Sequence, residues 1–496
     1  MPVAAQIMQH AAAHPHRVAV RGAHGETTYD LLARRIDGAA RLLAARGAAP
    51  GAPAAIALQD PVEALVAVLA ADLAGATPLV CDAAAGAERR ARLLGAVPVD
   101  LRVERPLPVG PAAAGAARPA PAARPEERGP AAADPPAARA GAPHDRAWAC
   151  FTSGSTGRPR AVVRTRASWT DSFPHLSDLA RIGPDDTVLV PGPLSSSLYG
   201  FAAVHTLAVG ATAVLPGRWP AAGLQAHLRA CTAVHLVPHH LPAVLEVLRR
   251  SGGPLRSVVA GGAALPAGVR ERAADADVHV LAYYGATELS FVAADADGCG
   301  LRPFPGVEIE VRAVPGAAAS TGAAGGTAGA ATDGVPLGEV WARSPYLADG
   351  YLAGADGPLR TDAGGWMTVG DLAGPYRGGQ VLRLRGRGGG AIQTGGATVV
   401  PEDVEEVLRK APGVGDVVVV GLPHPDLGAV VAAVVEGTGV RRAALEEVAR
   451  AELDAAQRPR RWYAAERLPR TPSGKPRRGL LAARLAGGEP GIRKLG

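Results

Sequence analysis

The sequence predicts an α/β protein in two parts, a large domain followed by a small one, and three observations carry that expectation. Short apolar runs of strand length alternate with segments of helical periodicity over most of the chain. At 496 residues the chain is too long for one small core. The run Gly388-Gly389-Gly390 then separates the body from a compact tail with its own helices and strands.

Residues 28–46 read as an amphipathic helix: Thr28 can cap it, Leu31, Leu32, Ile36, Leu42 and Leu43 recur at helical spacing, and Gly47 stops it. A short buried strand at 54–58, a helix at 62–74 and a strand at 78–81 follow. From about 106 to 143 the composition shifts to Pro, Ala, Arg and Gly with almost no large apolar residue. Such a segment buries too little surface to offset its ordering entropy, so a mobile surface insertion is expected. A strand at 147–151 and a β-type run at 161–163 flank a polar loop. Further strands are expected at 187–190, 211–215, 234–237, 257–260 and 278–281, separated by helices such as 222–230 and 241–249. The Gly/Ala/Thr-rich stretch 315–334 reads as a long flexible hairpin loop, and beyond Gly338 the strands shorten, up to 381–385. The tail holds a helix at 401–410 with Pro401 in its first turn and Glu402 and Asp403 near its positive end, strands at 417–420 and 429–435, and a helix at 443–454. These readings divide the chain into a domain at 1–387 and a domain at 388–496, with Gly389 at the hinge.

Composition narrows the function classes. A hydrophobic content of 48% and a charged content of 20% are ordinary for a globular protein. The net charge of +6 suits anionic ligands, but the arginines are scattered with few aromatics among them, which argues against nucleic-acid binding. Cys81, Cys150, Cys231 and Cys299 lie far apart with neither metal-ligand spacing nor a paired pattern, so a reduced cytoplasmic setting is expected. No apolar run approaches the ~18 residues of a membrane span, and the opening residues, with Gln6, His10, His14 and His16, do not read as a secretory signal. Lysine occurs only at 410, 475 and 494 in an arginine-rich chain. Lys475 sits in Pro472-Ser473-Gly474-Lys475, a turn whose lysine suggests a need for a compact ammonium, although the scarcity of lysine also fits the compositional bias of the chain and leaves an accidental placement open.

Several local motifs point toward a nucleotide. Thr152-Ser153-Gly154-Ser155-Thr156-Gly157-Arg158-Pro159-Arg160 lies between two strands; its glycines let backbone N–H groups approach phosphate oxygens and its hydroxyls add donors. It lacks the Gly-Lys-Ser/Thr and following helix of a Walker loop, and alone it fits a surface loop equally well. Tyr284-Gly285-Ala286-Thr287-Glu288 follows the strand expected at 278–281 and offers a flat ring for a purine and a carboxylate suited to Mg2+; alone it is also a tight turn. Asp371, in Gly370-Asp371-Leu372, can accept from both ribose hydroxyls or be a solvated turn residue.

Taken in order, Thr152–Arg160, Gly261-Gly262-Ala263, Tyr284–Glu288, Gly370-Asp371-Leu372, Gly386-Arg387 and Pro472–Lys475 resemble the adenylate-forming superfamily of acyl-CoA synthetases, nonribosomal peptide synthetase adenylation domains and luciferases. The resemblance runs from Thr28 to Lys475 and implies a large domain of α/β subdomains plus a distorted β-barrel, with a small mobile α+β domain behind it. It implies that Thr152, Ser153, Gly154, Ser155, Thr156 and Gly157 cradle the β- and γ-phosphates of ATP, and that Gly262, Ala263, Tyr284 and Gly285 contact adenine. Thr287 and Glu288 would hold the α-phosphate and Mg2+, Asp371 and Arg387 the ribose, and Lys475 would bridge the acyl carboxylate and the α-phosphate. The small domain would then turn about Gly389, and Gly395 and Gly396 would flank the pantetheine of CoA.

The resemblance also implies which acids fit. Amino-acid-activating members carry an aspartate just after the strand at 187–190, whereas this chain has Ser195-Ser196-Ser197-Leu198-Tyr199, which argues against an α-amino acid. Leu198, Tyr199, Phe201, Val237, Gly261 and Ala286 would line a mainly apolar pocket for an aliphatic or aromatic acid, although Leu198 and Phe201 also read as helix core residues. His235, His239 and His240 read as structural or pocket-lining residues. Departures from the family pattern fall at Arg160, where lysine is usual, at Gly389, and at Gln393, where a lysine is common. The expected activity is an acid:CoA ligase; transfer to a carrier-protein phosphopantetheine, an amine or another acceptor, and a non-catalytic nucleotide-binding homologue, are the alternatives. The oligomeric state is left open.

Overall fold

The computed structural model describes residues 3–83, 91, 93–95, 97–99, 101–108, 142, 144–152, 160–265, 268–313, 337–355, 357–387, 392–394, 397–424, 428–453, 457–471, 474, 476–488 and 491–496, with the backbone alone at 152, 386, 387, 393, 397, 398 and 428.

The N-terminal part is built on two sheets with helices between them. A nine-stranded sheet runs in the order Arg302–Pro303, Ser290–Asp295, His279–Ala286, Ser257–Gly261, Ala233–Leu236, Thr187–Leu189, Thr212–Val214, Val18–Gly22, Gly25–Thr28. Its middle is parallel, as expected of strands joined by helices. A six-stranded sheet follows the order Gly350–Tyr351, Arg160–Thr165, Arg146–Thr152, Thr77–Val80, Pro53–Ile56, Leu101–Val103. Between the sheets, Ile7, Leu32, Ile36, Leu65 and Leu207 pack with Val80 and Val188 in one core. The helix Tyr29–Ala45 is capped by Thr28, whose hydroxyl accepts from the Leu31 amide at 3.3 Å. Leu31 itself is 43% exposed, and the buried stripe is Tyr29, Leu32, Ile36, Ala39, Ala40 and Leu43. The next helix, Pro61–Leu73, has Asp60 accepting from two amides at its N-terminus.

The short strands expected as a distorted barrel form a six-stranded antiparallel sheet: Arg360–Thr361, Met367–Thr368, Gly338–Arg343, Asp371–Ala373 and Leu384–Arg387 in order, with Glu308–Ala313 also on Gly338–Arg343. The strands flanking the stretch 315–334 pair antiparallel from Glu308↔Arg343 to Ala313↔Gly338, so the connection is a hairpin; residues 314–336 lie outside the described ones. The insertion expected from 106 falls mostly outside them too, but Leu107 is buried, so the packed chain extends past that expected start.

The tail forms a sheet in the order Ala397–Val399, Ile392–Thr394, Gly428–Gly437, Arg461–Ala465, Ile492–Lys494, with Val414–His424 on the long middle strand. Val417 and Val419 pack with Leu408 and Leu445 on one face, while Val418 and Val420 pack with Leu481 on the other. A four-valine run therefore needs helices on both sides, supplied by Pro401–Leu408 and Arg442–Glu452 on one and Arg478–Gly487 on the other. The strands expected at 417–420 and 429–435 are longer than the apolar run alone suggests, because Glu436 and His424 continue the ladder.

One expectation is corrected at the site itself. The strand expected to stop at 281 runs as His279–Ala286, so Tyr283, Tyr284 and Gly285 belong to the sheet and the turn begins only at Thr287. Pairing with Ser290–Asp295 on one side and Ser257–Gly261 on the other overrides the local glycine signal.

Candidate active site

Gly285 shows why this strand needs a glycine. The return strand Ser290–Asp295 crosses so closely that a Cβ on Gly285 would stand 2.0 Å from the Ser290 carbonyl oxygen, and the register shifts between Tyr284 and Gly285. That irregularity sets the exit of the strand, where Tyr284, Thr287 and Glu288 project. Gly261 pairs in register with Tyr283, and Gly262 follows with φ +92°, so Gly261, Gly262 and Ala263 end the neighbouring strand beside Tyr284.

The Tyr284 hydroxyl donates to Asp371 Oδ2 at 2.8 Å, linking the nine-stranded sheet to the short-stranded one. Asp371 lies opposite Arg387 in register, which brings the Arg387 backbone to the same place. Three motifs separated along the chain therefore meet: Tyr284, Asp371 and Gly386-Arg387. The side chain of Arg387 lies outside the described residues.

The Thr287-Glu288 turn is held at four atoms. The hydroxyls of Thr287 and Ser197 hydrogen-bond at 3.0 Å, and the Thr287 carbonyl accepts from Arg164 Nη1 at 2.6 Å. The Glu288 carbonyl accepts from the Ala348 amide at 2.9 Å, and Glu288 Oε1 accepts from the Tyr351 hydroxyl at 2.9 Å. Burial and the adjacent Glu288 carboxylate push the Tyr351 phenol well above its ordinary pKa, so it stays a donor. Glu288 is 6% exposed, and among the described residues its Oε2 carries no hydrogen bond. A carboxylate oxygen and a threonine hydroxyl are hard donors, and this set fits a magnesium ion that takes its remaining ligands from phosphate and water.

The strand Arg160–Thr165 leads out of the serine- and glycine-rich loop. Its first residue pairs with Thr152, so the two ends of that loop are held side by side. Ser153, Gly154, Ser155, Thr156 and Gly157, with the Thr152 side chain, lie outside the described residues.

Around the proposed acyl pocket, Tyr199 is 1% exposed and its ring lies so close to Gly192 that a Cβ there would be 2.0 Å from it. Burial pushes the Tyr199 phenol well above its ordinary pKa, with the Val237 backbone acting in the opposite direction. Gly261 is constrained in the same way, since a Cβ on it would lie 2.1 Å from the Tyr283 ring. Leu198 and Ala286 are half-buried, whereas Phe201 is packed among Trp169, Phe173 and Phe291 at 5.2–5.4 Å between ring centres. His240 stacks on Trp219 at 3.7 Å, His239 tilts against His240 at 4.0 Å, and His235 is buried beside His205 at 6.3 Å.

The tail reaches this same edge. Gly474, at φ +77°, leaves no room for a side chain: a Cβ would lie 2.0 Å from His239 Cε1 and 3.1 Å from Val237 Cγ2. The Gly474 amide donates to the Thr471 carbonyl at 2.8 Å, and Arg470, ion-paired with Asp416, donates to the Gly474 carbonyl at 3.1 Å. Lys475 follows directly but lies outside the described residues, as do Gly389, Gly395 and Gly396.

The AMP-binding enzyme model matches residues 7–352, well over half of the chain. The chain belongs to the AMP-binding enzyme family. The C-terminal domain of AMP-binding enzymes matches 403–475, ending on Lys475. The chain is 32% identical over 338 residues to YhfT of Bacillus subtilis, an uncharacterised acyl–CoA ligase, covering 66% of each chain. It spans about two thirds or less of the length of the first curated AMP-binding relatives it matches. Its fold is similar to ATP-bound MatB from Rhodopseudomonas palustris, with TM-score 0.78 and 22% identity over 97% of this chain and 98% of that one. It is also similar to the amide bond synthetase McbA from Marinactinospora thermotolerans, with TM-score 0.74 and 25% identity over 98% and 100% of the two chains.

Sequence reasoning missed Arg164, Ser197 and Tyr351 in this candidate site. Arg164 carried a signal, a charge directly after the buried run Ala161-Val162-Val163. Tyr351 carried none, because its partner lies 63 residues away. Among the described residues no helix is long and apolar enough to cross a membrane, and all four cysteines are free.

Proposed function

We propose that this chain uses ATP to activate a carboxylic acid to an acyl-adenylate, releasing pyrophosphate, and then transfers the acyl group to the thiol of CoA. The observation that carries the reading is the meeting of Tyr284, Asp371, Thr287 and Glu288 at one strand end, beside the strand that leaves the serine- and glycine-rich loop. In the first step a substrate carboxylate oxygen forms a bond to the α-phosphorus of ATP, and the bond from that phosphorus to the bridging oxygen breaks as pyrophosphate leaves. Tyr284 and Ala263 would hold adenine, Asp371 the ribose, residues 152–157 the outer phosphates, and Thr287 the α-phosphate. Mg2+ on Glu288 would neutralise charge on the phosphate oxygens. Lys475, the residue after Gly474, would bridge the acid and the α-phosphate; a single electrostatic contact of this kind is typically worth ~10²–10³ in rate.

The domains at 1–387 and 388–496 would rearrange about Gly389 before CoA attacks, with Gly395 and Gly396 along the pantetheine. An aliphatic or aromatic acid fits a pocket with Tyr199, Leu198 and Val237 and no carboxylate at 195–197 to bind an α-amino group. Acyl–CoA ligase relatives such as YhfT support CoA as the acceptor, and a cytoplasmic location accords with the free cysteines. A second reading, transfer to a carrier-protein phosphopantetheine or to an amine, is favoured by Gln393 in place of a common lysine and by the likeness to an amide bond synthetase.

A hydroxylamine-trapping screen across aryl, short-chain and long-chain acids, with and without CoA, tests both steps. The proposal expects hydroxamate from at least one non-amino acid and the corresponding acyl-CoA by mass spectrometry. Hydroxamate without acyl-CoA would favour the second reading, and no hydroxamate from any acid would remove both.

A further inference from the structure

We infer that Arg164 is a positioning residue for the Mg2+ and ATP site, a buried guanidinium that sets where Thr287 and Glu288 stand. The inference rests on the reading of Glu288 as the metal carboxylate.

Arg164 is 2% exposed, inside a strand whose neighbours Val162 and Val163 are fully buried. Its planar fork reaches three carbonyls from three segments. Nη1 donates to Thr287 at 2.6 Å, and Nη2 donates to Ser168 at 3.2 Å and to Tyr346. Among the described residues no carboxylate is in ion-pair contact with it, although Glu288 acts on it electrostatically. A buried cation without a contacting counter-ion is costly, and an apolar side chain would pack a buried strand without that cost. The desolvated charge is instead directed at the peptide that joins Thr287 to Glu288. Lysine, with a single point of charge, cannot span three carbonyls in this geometry.

The same strand carries the remaining supports of Glu288. Gly350 and Tyr351 pair with Val163 and Val162, the Asp349 amide donates to the Val163 carbonyl, and Ala348 holds the Glu288 carbonyl. Gly357 has no Cβ to displace the Tyr351 ring, which lies 2.1 Å from where that atom would stand. At its other end, Arg160–Thr165 begins where the serine- and glycine-rich loop ends. Arg164 thus ties the acidic turn to the strand Arg160–Thr165, so that Thr287 and Glu288 keep a fixed place relative to that strand.

The test measures ATP binding calorimetrically, with MgCl2 and with EDTA, in the full-length wild type, Arg164→Met, Arg164→Lys and Glu288→Gln, alongside thermal unfolding. Arg164→Met is expected to raise the Mg2+ concentration for half-maximal ATP binding by about tenfold or more, the scale of losing a partner that orients a metal ligand, while ATP affinity in EDTA changes little. Arg164→Lys should fall between it and wild type, and it serves alone if the methionine variant does not fold. Folded Arg164 variants with a wild-type Mg2+ titration, or with equal losses in MgCl2 and EDTA, would overturn the inference while a shifted Glu288→Gln titration leaves Glu288 in place. An unshifted Glu288→Gln titration would overturn the Glu288 reading and this inference with it.

Discussion

Tyr284 and Asp371 stand 87 residues apart in sequence and 2.8 Å apart in space, and each was legible alone only as an aromatic or an acid on a turn. Their types announced the chemistry; their hydrogen bond did not, because a cross-sheet contact has no local signature. Tyr284→Phe keeps the flat ring and removes the bond to Asp371. Losing one such bond costs about 1 kcal/mol, so KM for ATP should rise about 2–10-fold with kcat nearly unchanged; steady-state pyrophosphate release over an ATP series checks it. His205 and His235 make a second case. Burial holds His205 down to about 4 and His235 to about 3, the neighbouring ring adding to the latter. The unfolded chain protonates both near ~6.5, so between that pH and the folded values the unfolded state binds more protons, and stability is lost as the pH drops through that window. Each ring should cost on the order of 2 kcal/mol at pH 5 relative to neutral pH. Urea unfolding at pH 7.5 and 5 should show a shallower loss for His235→Leu than for the wild type, and an equal loss would contradict the buried neutral imidazole.

At the scale of elements, periodicity and caps were the readable part. Thr28 and Gly47 bound the helix Tyr29–Ala45 as expected, and Pro401 opens Pro401–Leu408. The strand through Tyr284 looks shorter in sequence than it is because Gly285 resembles a turn residue, whereas the glycine is there to let Ser290 cross. Ser197, Arg164 and Tyr351 escaped because three different elements present them to one turn. The Gly474 turn permits a direct prediction. A methyl group there meets His239 and sits at φ +77°, so Gly474→Ala should push the turn off Val237 and His239. Acyl-AMP formation should slow by about tenfold or more, within the range for displacing one catalytic contact, while calorimetric ATP affinity and thermal stability stay close to wild type. Wild-type adenylation kinetics would show that the turn does not dock there during the first step.

At the scale of the molecule, the order of motifs along the chain was more informative than any of them singly, and the fold explains the order. The motifs lie at strand ends of the two large sheets and the short-stranded sheet and on a turn of the tail, so no single segment could disclose the site. The choice of acid and acceptor was not legible, since it depends on how Tyr199, Val237 and the tail shape a space made by distant segments. The proposed chemistry stands or falls on Lys475 completing a site that adenylates a carboxylic acid. Acid-dependent exchange of labelled pyrophosphate into ATP, in the wild type and in Lys475→Ala, probes that step directly. Exchange is expected in the wild type only when an accepted acid is present, with a fall of about 10²-fold or more in Lys475→Ala while ATP still binds. Exchange by Lys475→Ala at close to the wild-type rate would rule out that role for the lysine.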